Sequence, residues 1–262
     1  MVASSRPSLK SVSLRSQVSP DEWRVRVSLA ASYRLMAESG VSDLTYNHLS
    51  ARVPGEPNNY LIKSEDELFD EVTASSLVKY NLQGEKLSNN AGQVSRGGLV
   101  IHAGILEAKH GAGAVFHTHT PANIAVGAQK FGLLPISQHS LRFYNRVGYH
   151  DFAGFEFDLE GRARLVADLG SKNVLIMRNH GVLVVGRTVG EAHVEHALFE
   201  TACRAQVAAL SGGGVDQLIL VDEVAAQHAA RQIEERWVIT EAKRDWPALI
   251  RSLDLKGTDY AQ

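Results

Sequence analysis

The sequence predicts an α/β fold in which helices cover a mixed β-sheet. Two observations carry this prediction. Short apolar segments typical of strands alternate with longer, capped segments of helical periodicity, and their order shows no regular strand–helix–strand repeat. The chain has 262 residues, 44% of them hydrophobic, which supplies a core for one large globular domain or two small ones.

The first predicted helix begins at Pro20. Ser19 is placed to cap its backbone, proline fits the first helical position, and Glu22 is placed to complete a capping box. Gly40 is expected to end the helix. Apolar residues recur between these ends at helical spacing, at Val25, Leu29, Tyr33 and Met36.

The later elements are predicted from apolar runs, caps and turn sequences. Thr120-Pro121 and Thr188 mark helix starts, and Asp222 is expected to cap a final helix. In chain order the other predicted elements are strands at 49–53 and 60–62, a helix over about 98–109, strands at 114–119, 173–177 and 182–185, and a long helix ending near residue 210.

The N-terminal residues 1–18 are rich in Ser, Arg and Lys and lack acidic residues before the first helix. They have no apolar stretch of the kind that secretory signals need. Organelle transit peptides share this composition, but the segment has few large apolar residues to bury, which favours a disordered tail.

Charge and cysteine content narrow the class of protein. The net charge of −2 gives no reason to expect nucleic acid or a membrane surface as a partner. No apolar run reaches the roughly 18–20 residues that span a bilayer. The single cysteine, Cys203, cannot form an intrachain disulfide and fits a reducing compartment, so we expect a cytoplasmic protein. Its apolar surroundings favour a buried core residue over a reactive thiol.

Two histidines stand at the end of an apolar strand in the sequence VFHTHTP. Because side chains alternate along a strand, His117 and His119 point to the same face, with Cα atoms about 6.5–7 Å apart. Both rings can then converge on one metal ion. A third ligand must come from elsewhere, and His180 in MRNHGVLVVG is the best candidate. The alternative is a polar strand end and a hydrogen-bonded turn histidine, since two histidines at this spacing are a weak signal alone.

The other histidines have weaker interpretations. His193 and His196 are spaced to share one helix face and can in principle bind metal, but a polar helix face beside Glu195 and Glu200 is favoured. His102 is expected to pack beside the site. We expect His110 and His228 to be exposed, and the roles of His48, His139 and His150 stay open.

Several long stretches resemble the class II aldolase/adducin family, and specifically its adducin-like branch. They extend over about residues 20–225 and read YNHLSARV, LFDEVTASSLVKYNLQGE, VFHTHTPANIAV, GLLPIS, GYHDFAGF and NVLIMRNHGVLVVGRTVGEA. The resemblance implies a three-layer α/β/α fold with a mixed, largely antiparallel central sheet. It also implies one domain at 19–225, followed at 226–262 by a helix and tail packed on or near it.

The resemblance also implies a metal site and an oligomer. In the family's aldolases, a histidine pair two residues apart and a later histidine bind a divalent ion, usually zinc. The matching positions are His117, His119 and His180. Family members frequently assemble into fourfold-symmetric tetramers with sites near subunit boundaries, so a homotetramer is expected.

The sequence departs from the aldolase pattern at the general base. Family aldolases use a glutamate, four residues before a histidine in the preceding helix, as metal ligand and base. Counting back from His102, that position is Gly98, which has no side chain. Glu107, the nearest carboxylate of that helix, lies more than two turns downstream and is a poor substitute. If this chain is an enzyme, another residue must therefore transfer the proton.

The phosphate-binding region departs as well. Where the family uses small and hydroxyl residues, this chain has acidic residues at 65–67, which would repel a phosphate dianion. Asn47 and Ser50 remain from the first anion-binding turn, and Arg96 can hold a carboxylate with its planar guanidinium. These three residues are the predicted substrate-binding groups, and the pattern favours an unphosphorylated small molecule.

Two functions remain open from the sequence. The first is a metal-dependent aldolase or decarboxylase acting on a hydroxy-carbonyl or hydroxy-acid compound through a stabilised enolate. His139 lies roughly where the resemblance places an acid from a neighbouring subunit, and Tyr144, Tyr149 and His150 are further candidates for proton transfer.

The second function is a non-catalytic assembly module, as the adducin head domain is thought to be. The missing glutamate favours it. Adducin's cytoskeletal role depends on a lysine-rich tail, and the residues after 225 contain no lysine cluster. Binding to actin or spectrin is therefore not expected.

Overall fold

The computed structural model describes residues 13–155, 159–240 and 244–262. The first twelve residues of the predicted tail lie outside this part of the chain, and residues 14–16 form a short 3-10 helix. The strands are β1 (His48–Val53), β2 (Glu56–Ile62), β3 (Val78–Asn81), β4 (Ala114–Thr118), β5 (Val147–His150), β6 (Val174–Met177) and β7 (Gly181–Gly186).

The helices lie between and after these strands. In chain order they are α1 (Pro20–Glu38), α2 (Arg96–Ala108), α3 (Pro121–Ala128), α4 (Gln138–Leu141), α5 (Leu159–Leu169), α6 (Val189–Ser211), α7 (Glu223–Thr240) and α8 (Trp246–Asp254). None of them, within the described residues, has the length and apolar character needed to span a bilayer.

The described strands form one seven-stranded sheet in the order β3-β2-β1-β4-β7-β6-β5. All neighbouring pairs are antiparallel except β5 and β6, which are parallel. The prediction of a three-layer fold with a mixed, largely antiparallel sheet is therefore confirmed. The alternation of side chains along the strands explains the layers, because each face needs its own apolar cover.

Two apolar clusters lie on the two faces of the sheet. On one face, Phe116 of β4 packs in a cluster with Leu29 of α1 and Phe199 of α6. On the other face, Val115 packs with Ile105 of α2 and Leu165 of α5. The helices thus divide between the faces, and the odd-numbered residues of β4 point toward the α2 side. This places His117 beside α2.

Helix α1 begins as predicted, because the Ser19 side chain accepts a hydrogen bond from the backbone N–H of Glu22. The Glu22 carboxylate does not complete the capping box. It is buried and accepts hydrogen bonds from Arg26 and Lys79, at 2.9 Å each. Burial of a carboxylate requires such partners, and the two cations supply them. Gly40 follows the end of α1 with φ of 71°, as a helix-terminating glycine does.

The polar helix face predicted for His193 and His196 is buried. Their exposures are 5% and 2%, so both are buried between α6 and its neighbours. His193 Nδ1 is 2.8 Å from the Ser32 hydroxyl of α1. His196 Nε2 is 2.7 Å from Thr118 Oγ1 of β4. Helix α6 therefore carries polar side chains on a buried face. Each of the two histidine rings forms a hydrogen bond with a hydroxyl group from another element.

Five of the strands and α-helices in the described structure were not predicted from sequence, namely β3, β5, α4, α5 and α8. The two strands have only four residues each. A run that short gives too little alternation to separate a strand from a loop. Their place in the sheet is set by pairing, β3 with β2 and β5 with β6.

Candidate metal centre

The centre of the sheet brings three histidines together. His117 belongs to β4, His119 follows it, and His180 lies in the turn between β6 and β7. Strands β4 and β7 are antiparallel neighbours, with His117 opposite Leu183, so the turn before β7 lies beside the end of β4. The sequence predicted this convergence, although about sixty residues separate the pair from the third histidine.

The turn that carries His180 is held by its own backbone. The N–H of His180 donates to the carbonyl of Met177 at 3.1 Å. Asn179 has φ of 58°, in the left-handed region that asparagine tolerates better than most residues. Gly181 lies so close to β4 that an added Cβ would be 2.4 Å from the carbonyl oxygen of Thr118 and 2.8 Å from His119 Cδ2. A glycine is required there, because any side chain would push the turn away from the strand.

The three rings converge on a common point. One ring nitrogen from each histidine lies within 4.8 Å of the others. The ring centroids of the three pairs are 4.6, 4.9 and 4.9 Å apart. Nitrogen ligands about 2.0–2.1 Å from one ion would be separated by roughly 3–3.5 Å, so small side-chain rotations bring all three into a tetrahedral arrangement.

The outer nitrogens of two rings are held by hydrogen-bond acceptors. His117 Nδ1 is 3.1 Å from the carbonyl of Val182, and His119 Nδ1 is 3.1 Å from a carboxylate oxygen of Asp43. Each Nδ1–H donates to its acceptor, which leaves both Nε2 atoms with lone pairs. These Nε2 atoms face each other at 2.8 Å. Two acceptors at that distance repel unless a cation or a proton lies between them, so the arrangement fits a metal ion.

Burial keeps the rings of His117 and His180 neutral, which is the form that binds metal. Desolvation lowers the pKa of His117 well below its ordinary value, and the neighbouring His119 and His180 lower it further. Desolvation, with contributions from His119 and His150, lowers the pKa of His180 to about 4. Neutral imidazoles at physiological pH suit zinc and similar divalent ions.

The helix that supplies a carboxylate in the aldolase pattern supplies none here. Gly98 is buried near the start of α2, and an added Cβ would be 3.6 Å from His48 Cδ2. Glu107 is exposed at the far end of α2 and forms an ion pair with Arg162. His102 is fully buried beside the site, consistent with the expected packing role.

Two of the three predicted substrate-binding residues lie inside the protein. The Oδ1 of Asn47 accepts a hydrogen bond from the backbone N–H of His119 at 2.9 Å, and its Nδ2 has no partner among the described residues. The Ser50 hydroxyl is fully buried and lies 2.5 Å from His102 Nδ1, so it supports that ring instead of facing a ligand. Arg96 is the exposed first residue of α2.

The predicted proton-transfer residues are placed differently. His150 is buried at the end of β5, opposite Met177, and its Nδ1 is 2.6 Å from a carboxylate oxygen of Asp168. It is close enough to His180 to influence its charge state. Tyr149 points to the opposite face, where its oxygen accepts a hydrogen bond from the N–H of Leu133 at 3.1 Å. His139 is half-buried on α4, which packs against α6 and α7.

An apolar rim and a small cavity border the site. The Phe152 ring is 6.4 Å from the His180 ring and remains 48% exposed, and Tyr46 near Asp43 is 65% exposed. A cavity of about 240 Å³ is lined by His48, Lys63 and other residues of the same region. Burial lowers the Lys63 pKa to about 8, against the opposing effect of the neighbouring acidic residues, and its Nζ donates to the carbonyls of Thr45 and Ser64.

Sequence comparison assigns the fold and site to a family. The sequence profile of the family "Class II Aldolase and Adducin N-terminal domain" matches residues 27–207. The chain belongs to the class II aldolase/adducin family. This confirms the resemblance found in the sequence motifs, and the matched region contains all three histidines.

The relatives of this class II aldolase/adducin family member include both aldolase-like proteins and adducins. A candidate class 2 aldolase of Caulobacter vibrioides is 41% identical over 97% of this chain and 98% of its own length. Alpha-adducin of Rattus norvegicus is also 41% identical, over 90% of this chain but only 34% of its own length. A crystal structure of an aldolase II superfamily protein from Pseudomonas syringae superposes with a TM-score of 0.90, 45% identity, and coverage of 96% of this chain and 100% of that one.

Two residues that contact the triad were not assigned to it from the sequence. Asp43 orients His119, and His48 contacts His117 with ring centroids 5.0 Å apart. Asp43 lies in a loop of ordinary composition, 76 residues from its partner, so no local pattern marks it. The motif YNHLS places His48 next to Asn47, a predicted substrate-binding residue, which indicated that His48 lies near the site. The motif does not show that the His48 ring points toward His117.

Proposed function

We propose that the protein is a divalent-metal-dependent carbon–carbon lyase acting on a small, unphosphorylated hydroxy-carbonyl or hydroxy-acid compound. The observation that carries the proposal is the pair of Nε2 atoms of His117 and His119, which face each other at 2.8 Å with both Nδ1 atoms committed to acceptors. His180 completes a three-nitrogen set, and the class 2 aldolase relatives support a lyase.

Each side chain has a separate role in this proposal. His117, His119 and His180 hold the ion, and zinc is the ion we propose. Asp43 and the Val182 carbonyl fix the rings of the first two. When bound, such an ion polarises a carbonyl or hydroxyl oxygen and stabilises the negative charge that develops as a carbon–carbon bond breaks.

Substrate binding is assigned to groups near the histidines. The unpaired Nδ2–H of Asn47 can donate to a substrate oxygen or a bridging water. Arg96 at the exposed start of α2 can hold a carboxylate. The carboxylates of Glu65 and Asp66 lie in the same region as the cavity and disfavour a phosphate dianion.

Proton transfer is assigned to histidines, because Gly98 supplies no carboxylate. His150 is the first candidate in the same subunit, since it is oriented by Asp168 and lies beside the turn of His180. His139 is proposed to act from a neighbouring subunit of a homotetramer, whereas Tyr149 points to the other face of the sheet and is not assigned this role within its own subunit. The exposed apolar residues of the rim, including Phe152 and Phe155, fit burial in such an assembly.

The second candidate function is a non-catalytic oligomeric module. Two observations favour it: the missing carboxylate at Gly98, and the 41% identity to alpha-adducin over 90% of this chain. In this case the three histidines would hold a structural ion. We propose a cytoplasmic location for either function.

The deciding experiment measures metal content and turnover together. Elemental analysis of the purified oligomer should give near-stoichiometric zinc or a similar ion, lost in His117→Ala and kept in the exposed-site control His110→Ala. A panel of hydroxy acids and unphosphorylated aldols should then include a substrate whose cleavage is abolished by His180→Ala. Bound metal without turnover across the panel would favour the module, and absence of metal would overturn both metal assignments.

A further inference from the structure

His48 stands directly beside the triad. Strands β1 and β4 are paired with His48 opposite His117, and the two ring centroids are 5.0 Å apart with planes tilted by 38°. This separation is close to the 4.6–4.9 Å found among the three triad rings. His48 is not part of the converging nitrogen group, so it flanks the triad on one side.

A chain of hydrogen bonds fixes the His48 ring from behind. His48 Nδ1 is 2.7 Å from His102 Nε2, and His102 Nδ1 is 2.5 Å from the Ser50 hydroxyl. Ser50 Oγ in turn lies 3.5 Å from the carbonyl of Val115. Both His102 and Ser50 are fully buried, so their hydrogen bonds must be made within the protein.

The chain has one direction in which every member is used. Ser50 donates its single proton to the Val115 carbonyl and accepts from His102 Nδ1–H. His102 Nε2 then accepts from His48 Nδ1–H. In this set of tautomers, Nε2 of His48 carries a lone pair and no proton. The His48 ring contacts His117 of the triad and His48 also lines a cavity of about 240 Å³, so the residue borders space that a ligand can fill.

Gly98 makes room for the ring. An added Cβ at this position would be 3.2 Å from Ser95 Oγ and from Val94 Cγ1, and 3.6 Å from His48 Cδ2. A longer side chain at 98 would extend into the space that the imidazole occupies. The missing side chain at position 98 of α2 therefore leaves the space that the His48 ring of β1 occupies.

We infer that His48 is a specificity-determining residue that accepts a hydrogen bond from a hydroxyl group of the molecule bound at the triad. The substrate class is then narrower than hydroxy acids in general: it carries a further hydroxyl group, adjacent to the metal-binding oxygens, that reaches Nε2 of His48. His102 and Ser50 are positioning residues that hold the ring in this tautomer. The inference rests on the metal site of the proposed function.

The test compares two probes that differ by one hydroxyl group. Glycerate and lactate are titrated by calorimetry into the zinc-loaded oligomer, so the readout is binding and not turnover. Glycerate should bind about tenfold or more tightly than lactate, because an acceptor that the ligand covers but leaves unpaired penalises the ligand that lacks the donor. His48→Phe, which keeps a ring in the same space, should bind both probes equally while its zinc content is unchanged.

Two further variants keep the test decisive. His48→Gln retains a hydrogen-bond acceptor and should keep part of the preference for glycerate over lactate. It provides a second measurement if His48→Phe folds poorly. Ser50→Ala should weaken the preference while the metal content stays constant. Equal affinity for the two probes in the parent protein, or an unchanged preference in His48→Phe, would overturn the inference and leave the metal site standing. Loss of zinc in His48→Phe would instead make the residue a ligand and also overturn it. Failure of the parent protein to bind zinc would remove the proposed function itself.

Discussion

Thr118 Oγ1 and His196 Nε2 are 2.7 Å apart, on the face of β4 opposite to the metal-site histidines. Both residues are buried, with exposures of 0% and 2%. Thr118 lies between His117 and His119 in sequence and points the other way, because side chains alternate along a strand. Helix α6 is thus fastened to the same strand whose opposite face carries the triad.

Replacement of Thr118 by valine should destabilise the protein. The substitution keeps the shape of the side chain but removes the hydroxyl, so the buried His196 Nε2 loses its partner. We expect a loss of about 1–3 kcal/mol in the free energy of unfolding, measured by urea denaturation with a chelator present. Thr201→Val is the matched control, because Thr201 is exposed on α6 and its hydroxyl donates to the carbonyl of Ala197 in its own helix. Equal stability of the two variants would contradict the prediction.

Replacement of Asp43 by asparagine should weaken metal binding without unfolding the protein. The Asp43 carboxylate accepts from His119 Nδ1 and is 42% exposed, so the fold depends on it little. Loss of such a partner typically lowers metal affinity by about 10–100-fold, because the ring is less well oriented and less basic. Competition with a chromophoric chelator measures the change. Asp70→Asn, at an exposed position, is the control, and a wild-type affinity for Asp43→Asn would exclude the orienting role.

An alanine at position 181 should damage the site through the backbone. Its Cβ would overlap the Thr118 carbonyl oxygen at 2.4 Å and crowd His119 at 2.8 Å, so the turn of His180 must move away from β4. We expect a destabilisation of about 1–3 kcal/mol and a drop in zinc affinity larger than that of any exposed glycine variant. Gly111→Ala is the control, since no atom lies within 4 Å of its added Cβ. Intact metal binding in Gly181→Ala would show that the turn has more freedom than the structure indicates.

Stability should fall as the pH drops below about 6.5. Burial, with a smaller contribution from the neighbouring His196, lowers the pKa of His193 to about 3. Burial, with Arg204, lowers that of His196 to about 4. Both rings are neutral in the folded protein, whereas the unfolded chain binds protons from about pH 6.5 downward, so acid favours unfolding. Below about pH 6 each ring should contribute a loss approaching about 1.4 kcal/mol per pH unit until its folded pKa is reached.

Urea denaturation at about pH 7.5 and about pH 5.5, with metal removed, measures this loss. His193→Gln should be less stable than the parent at neutral pH, because the contact with Ser32 changes, yet lose less stability on acidification. His228→Ala, which removes an exposed histidine, should keep the parent's pH dependence. An identical pH dependence for His193→Gln and the parent would argue that the buried ring is not the source.

The sequence predicted the parts of this protein that local patterns encode. Helical spacing and caps predicted α1 and α6, and a short apolar run ending in two histidines predicted β4 and the direction of both rings. The third ligand followed from its place between two apolar strands, strengthened by family resemblance. These features depend on periodicity and on short motifs, which a single sequence contains.

The supporting contacts were not predictable, because they join residues far apart in the chain. His193 meets Ser32 across 161 residues, and His196 meets Thr118 across 78. Histidine is equally compatible with a solvated helix face and a buried hydrogen bond, so its burial depends on the partner that the fold supplies. The hydrogen bond between His48 and His102 was not predictable either, because these residues are 54 positions apart in the chain.

The position of the triad across β4 and the turn before β7 has a mechanical consequence. An ion held by all three rings would act as a clamp between two central strands, and it would bind the folded chain only. At a free concentration one hundred times its dissociation constant, such an ion adds about 2.7 kcal/mol to the free energy of unfolding. The three histidines would therefore stabilise the fold even in a protein without catalytic activity. A chain that no longer bound the ion would unfold at a lower temperature.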